Sequence, residues 1–259
     1  MNRLKSTVAV VVMALSTTLL AQTHQIPVPT TVSKPMAAAV AAPVADLWLK
    51  APKSVSDWQA IASEYADTVG RSALSDAKAL NVDVQATKIA SVNVYVLTPK
   101  TIDQDKADKI IFYIHGGGYI LGHGASGIVE ALPMAADHHY KVVCVDYRMA
   151  PEFPFPAAID DAFAVYQELV KTHGADNIAA IGTSTGGAMT LILALQAHDA
   201  KVSMPAALIS GTPWSDMDKI GDSYFVNDGV DNVLGSYDGL IKTAVEYYAK
   251  GHDLKDPLL

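Results

Sequence analysis

Apolar positions recur along the chain at helical and strand periods in alternation. Ser56 and Asp57 can cap a helix in which Trp58, Ile61, Tyr65 and Val69 share one face, with Gly70 placed to end it. Two strand-like runs follow, residues 82–89 and 92–97, the second alternating as VNVYVL. A charged segment, 100–109, separates them from what comes next. Residues 110–114 (IIFYI) and 142–145 (VVCV) are short apolar runs, as expected of strands buried on both faces. Segment 155–173 has a helical period through Ile159, Phe163, Tyr166 and Val170, with Gly174 where a C-cap belongs. Strand 178–181 (IAAI) leads into a mostly apolar helix, 186–197. Residues 207–210 (ALIS) read as another strand, and 236–250 as a last helix with Leu240, Ala244 and Tyr247 on one face. This order implies an α/β fold, a mostly parallel sheet with helices on both faces.

The first residues break the alternation. Arg3 and Lys5 precede an uncharged run, 7–20, and Ala21 follows it. A basic start, an apolar run of about 7–15 residues and a small residue make the pattern of a secretory signal peptide, here 1–21, with an uncleaved N-terminal anchor as the alternative. The run is short for a bilayer span of about 20 residues, so no stable membrane anchor is expected. A secreted or periplasmic protein is the expectation. Residues 22–43, rich in Pro, Ala, Val and Thr, read as a linker, which leaves 44–259 for the folded domain.

Composition narrows the function. Half of the 259 residues are apolar and 18% are charged, which excludes wholesale disorder. The net charge of −8 leaves no basic footprint for nucleic acid. A single cysteine, Cys144, excludes a disulfide framework and a Cys-rich zinc site.

Two motifs carry chemistry. His115-Gly116-Gly117-Gly118-Tyr119 follows the run 110–114 directly. Three consecutive glycines suit neither a strand nor a helix interior, but they form a loop whose bare N–H groups can approach a ligand. Gly182-Thr183-Ser184-Thr185-Gly186-Gly187 stands between a strand and a helix, the expected context of a G-x-S-x-G nucleophile elbow. Gly182 and Gly186 let strand and helix pack closely around the turn, and the helix N-terminus adds positive potential. Together the motifs fit acyl transfer: Ser184 as nucleophile, with backbone N–H groups of the Gly116–Gly118 loop and of Thr185 as donors to the developing oxyanion.

At this point the chain resembles the hormone-sensitive-lipase-like family of α/β-hydrolase esterases. The resemblance rests on HGGGY at 115–119, DYRMAPEFPFPAA at 146–158, GTSTGG at 182–187 and GTPWSD at 211–216. It implies an α/β-hydrolase core with an N-terminal helical cap over 44–80, including the helices around Trp48 and Trp58. It also implies hydrolysis of short-acyl esters or lactones, with no metal or cofactor. Arg148 and Glu152 would be structural groups of the family's loop or would support the site residues from behind.

A serine nucleophile needs a base, and the base an orienting acid, in the chain order Ser, Asp or Glu, His. Only His198 and His252 follow Ser184. His198 is at the far end of the helix that starts at the nucleophile, roughly 20 Å away at 1.5 Å per residue. His252 lies in a segment resembling the family's stretch before its last two core strands. No triad Asp or His is therefore assigned, and the last two core strands are expected to be missing, as in a C-terminal truncation that exposes a sheet edge. Among the other histidines, His24 falls in the linker, His138 and His139 read as a solvated helix end, and His173 as a helix C-terminus. His123 is either a pocket residue or an ordinary loop residue. Two functions remain: an ester hydrolase, or a catalytically impaired hydrolase-fold fragment or binding module.

Overall fold

The computed structural model describes residues 27–50 and 52–259; the signal-peptide segment, His24 and the start of the linker lie outside them. The chain divides into two units, one ending at Ala42 and the other running from Pro43 to Leu259.

In the first unit helix α1 spans Lys34–Ala41. The Ser33 hydroxyl accepts the Met36 N–H at 3.4 Å, and Pro35 stands in the first turn, where a missing N–H breaks no hydrogen bond. Within the segment expected as a linker, 22–43, this alanine-rich run behind a serine cap forms a helix.

The second unit opens with α2 (Asp46–Leu49) and α3 (Val55–Ala79). Ser54, not Ser56 or Asp57, caps α3, accepting the Asp57 N–H at 3.1 Å. Gly70 does not end the helix, which runs on to Ala79. Six strands form one sheet in the order β1-β2-β4-β3-β5-β6. They are β1 (Val82–Ile89), β2 (Val92–Pro99), β3 (Ile110–Ile114), β4 (Lys141–Val145), β5 (Ile178–Thr183) and β6 (Ala207–Gly211). From β4 to β6 all pairings are parallel. The sheet is mixed because β2 runs antiparallel to both β1 and β4. Only Ala90 and Ser91 join β1 to β2, and so short a connection can build only a hairpin.

Strand side chains alternate between two cores. Ile110, Phe112 and Ile114 belong to one cluster, with residues of α5 (Ala157–His173), α6 (Thr185–Asp199) and α8 (Lys242–Ala249). Ile111 and Tyr113 face the other, with Ala73 and Ala77 of α3 and with Leu132 and Ala135 of α4 (Leu132–Ala136). Cys144 is buried there. The start of α5 falls at Ala157 rather than 155, since a residue preceding proline, here Phe155, disfavours the helical region. A short helix, α7 (Ser223–Val226), precedes the segment expected as one helix over 236–250. That segment is irregular over Tyr237–Ile241 before α8. The break is at Gly239, where a Cβ would meet the Trp48 carbonyl at 2.5 Å. β6 is one edge of the sheet among the described residues, and Ile209 on it is 52% exposed.

Candidate active site

β5 ends at Thr183 and α6 begins at Thr185, so Ser184 alone makes the turn between them. Its φ of 55° and ψ of −122° lie where L-residues are rarely found. Backbone hydrogen bonds hold it there. The Ser184 N–H donates to the Gly211 carbonyl at 3.0 Å, and the Ser184 carbonyl accepts from Ala188 and Trp214, each at 3.1 Å. The turn also needs absent side chains. A Cβ on Gly182 would stand 2.2 Å from the Gly186 carbonyl oxygen, and one on Gly186 would stand 2.0 Å from that of Ile114. Ser184 thereby projects at the first turn of α6, whose N–H groups lack intrahelical acceptors and supply positive potential.

The glycine loop comes to the same point because β3 pairs directly with β5, Ile114 level with Gly182. A Cβ on Gly116 would lie 3.0 Å from Ser184 Cβ and 3.7 Å from its hydroxyl. Gly117 has φ of 115°, and any side chain there would strike the Leu121 carbonyl at 2.1 Å. Its own carbonyl accepts the N–H groups of Ile120 and Leu121, which folds the loop back as a tight turn through Gly118. Thr185 follows Ser184 as the first residue of α6.

His115 supports the loop from beneath. Its buried ring stacks on Tyr147 with centroids 4.2 Å apart and planes 12° from parallel. Tyr147 OH donates to the His115 carbonyl at 2.9 Å. Burial holds the imidazole pKa below its ordinary value, so the ring is neutral at pH 7. Nδ1 lies 2.7 Å from the Gly116 carbonyl and therefore carries the proton. Nε2 is buried and has no hydrogen-bond partner among the described residues.

His115, Gly116–Gly118, Thr183 and Ser184 line a cavity of about 810 Å³ that also takes in Trp48 of α2, Tyr65 of α3 and Leu240. No other histidine lines it among the described residues. His123 is directed elsewhere: its Nδ1 lies 3.1 Å from Asp146, a hydrogen bond that raises its pKa. His198, beside Asp199 at the far end of α6, is solvent-exposed, and His252 packs edge-on against Phe155. His139 pairs with Asp103, and His173 closes α5 beside Thr172. Arg148 grips Asp161, its Nη2 at 2.8 Å and its backbone N–H at 2.9 Å, while Glu152 accepts from Gln59 at 2.5 Å. Among the described residues no cluster of His, Cys, Asp or Glu could hold a metal ion, and no helix is long and apolar enough to cross a membrane.

Sequence periodicity gave no sign of Glu130. It sits in the 3-10 segment Gly124–Ala131 and lines the cavity. Tyr113 OH donates to its Oε2 at 2.6 Å, and the Thr183 hydroxyl bonds the same oxygen. These three groups come from distant parts of the chain, so no local pattern could have found them.

Residues 111–259 match the family model for the alpha/beta hydrolase fold. An acetyl-hydrolase of Streptomyces hygroscopicus is 32% identical over 157 residues, 58% of this chain and 50% of the relative. An esterase of Acinetobacter venetianus is 35% identical over 132 residues, 51% of this chain and 44% of the relative. The chain thus spans half or less of the length of these curated relatives. Among solved structures, an esterase named E25 superposes with a TM-score of 0.84 at 39% identity, covering 90% of this chain and 72% of that one. An esterase from the bacterial hormone-sensitive lipase family gives 0.71 at 25% identity, covering 82% and 68%.

Proposed function

The chain belongs to the alpha/beta hydrolase fold family, and from that premise we propose that it is a carboxylic ester hydrolase acting through Ser184. The observation that carries the proposal is the convergence of the strained Ser184 turn and the Gly116–Gly118 loop on one cavity. In the proposed reaction Ser184 Oγ attacks the ester carbonyl and the alcohol leaves with a proton. Water then hydrolyses the acyl-serine to a carboxylic acid. N–H groups of Gly117, Gly118 and Thr185, with Gly116 completing the loop, stabilise the oxyanion; one such donor is typically worth about 2.7–4 kcal/mol. Relatives named for acetyl esters support short-acyl esters or lactones as substrates. The net charge of −8 speaks against a nucleic-acid substrate. The basic and apolar start of the chain supports export to the periplasm or beyond, with an N-terminal anchor as the alternative.

One observation favours a second reading, a hydrolase-fold protein of low activity or a binding module. Neutral His115 has its proton committed to the Gly116 carbonyl and its other nitrogen buried, so it is unsuited to take the Ser184 proton. The experiment is treatment of the folded 259-residue chain with a fluorophosphonate, read by mass spectrometry, beside p-nitrophenyl acetate hydrolysis. A stoichiometric adduct on Ser184 and hydrolysis that Ser184→Ala removes are expected. No adduct on a folded chain, or hydrolysis unchanged in Ser184→Ala, overturns the hydrolase proposal and leaves the second reading.

A further inference from the structure

The cavity wall beside Ser184 carries more than the proposed hydrolysis requires. Glu130 is held in it by two hydroxyls, Tyr113 at 2.6 Å and Thr183, the chain neighbour of Ser184. Tyr65 lines the cavity close enough to Glu130 for the carboxylate to help raise its pKa, after burial. Trp48, Trp214 and Tyr224 add aromatic rings to the lining. A second carboxylate, Asp231, also lines the cavity and accepts the N–H groups of Val233 and Leu234. No lysine or arginine lines it among the described residues; Lys219, the nearby cation against Tyr237, is committed to Asp238 at 2.8 Å.

Aromatic faces attract cations through the ring quadrupole, and carboxylates do so by charge. Aromatic rings and carboxylates together attract ammonium groups, and here both carboxylates, Glu130 and Asp231, are solvent-exposed at the cavity wall. A carboxylate-bearing ligand would meet two like charges with no compensating cation. We propose that this cavity selects ligands bearing a positively charged amine or quaternary ammonium group, and that Glu130 is the specificity-determining residue. Resting on the hydrolase proposal, the substrates would be esters of amino or ammonium alcohols.

The test separates binding from chemistry. Trp48 and Trp214 line the cavity, so tryptophan fluorescence reports occupancy without turnover. The unaltered chain is titrated with choline and with its uncharged isostere 3,3-dimethylbutan-1-ol. Choline is expected to bind about fivefold tighter, as for a cation against aromatic rings at a solvent-exposed site. Glu130→Gln should remove most of that preference. Equal or reversed affinities in the unaltered chain, or a preference undiminished in a folded Glu130→Gln, overturn the proposal. Should Glu130→Gln not fold, Tyr65→Leu takes its place, and an undiminished preference there overturns it equally. Hydrolysis of acetylcholine and 3,3-dimethylbutyl acetate is then compared. Choline preference with no fluorophosphonate adduct on Ser184 and no hydrolysis of these esters or of p-nitrophenyl acetate supports the binding proposal and removes the hydrolase one. Equal kcat/KM for both esters, with no choline preference, does the reverse.

Discussion

Ser184 holds a backbone conformation that glycine would take more easily, and this can be measured without any enzymatic activity. A non-glycine residue in so sparsely populated a region costs about 1–3 kcal/mol. Ser184→Ala removes the hydroxyl but keeps the Cβ, and so keeps the strain. Ser184→Gly removes both. Glycine loses more conformational entropy on folding, an opposing effect of about 0.5–1 kcal/mol. Ser184→Gly should therefore be more stable than Ser184→Ala by about 1 kcal/mol, although it deletes more atoms. For a domain of this size that is about 2–4 °C in melting temperature. Urea unfolding of both variants at one pH, with equal slopes, gives the difference directly. An alanine variant as stable as the glycine variant, or more so, would refute the reasoning. It would mean that hydrogen bonds from Ser184 to Gly211 and from Trp214 to Ser184 set a turn that any residue accepts.

Gly186→Ala places a Cβ 2.0 Å from the Ile114 carbonyl, a backbone atom with no rotamer to yield. It should cost about 3 kcal/mol or more in urea unfolding, and a loss under about 1 kcal/mol would show that α6 moves off the sheet freely. Gly70→Ala is the counterpart inside α3, where the nearest atom to a new Cβ is Ser126 N at 3.4 Å. There a gain of about 0.5–1 kcal/mol is expected, and a loss of that size would contradict it. Stability should also fall in acid. The folded pKa of His115 is depressed by burial, so its contribution is complete above about pH 6.5 and is lost as pH falls toward the folded value. The folded pKa of His123 is raised by Asp146, so its contribution is present below about pH 6.5 and is lost as pH rises through the folded value. His123 is 64% exposed and its contribution is the smaller of the two. Urea midpoints should therefore drop from pH 7 to 5.5, more steeply in His123→Gln; a flat profile would refute the assignment of a buried neutral His115.

The elements legible in the sequence are those whose signal is local. β3 is fully apolar because it is covered on both faces, and its five residues divide between two cores. α6 follows β5 at the serine because the motif itself encodes a strand, a one-residue turn and a helix. Where local signals compete, the reading slips by a few residues. Ser54, Ser56 and Asp57 can all cap α3, and it is Ser54 whose hydroxyl meets the Asp57 N–H. Gly70 resembles a helix end by composition, yet α3 carries it through because its bare face lies against Ala125 and Ser126, a contact formed only in the folded chain.

Function divides along the same line. Attack on a carbonyl needs a nucleophile and donors within a few ångströms, and here parallel pairing of β3 with β5 brings together two motifs that are each continuous in sequence. The proposed nucleophile and donors can be read directly from HGGG and GTSTGG. Specificity has no such continuity. Its wall joins Trp48 of α2, Tyr65 of α3, Glu130 of the 3-10 segment and Trp214 after β6. Glu130 acquires its place from hydroxyls 17 and 53 positions away in the chain. In sequence Glu130 looks like any solvated glutamate; only the hydroxyls of Tyr113 and Thr183, on adjacent strands, hold its still exposed carboxylate at the wall of the cavity that Ser184 lines. The proposed chemistry is thus carried by continuous motifs, whereas the proposed choice of ligand rests on side chains that only packing brings together.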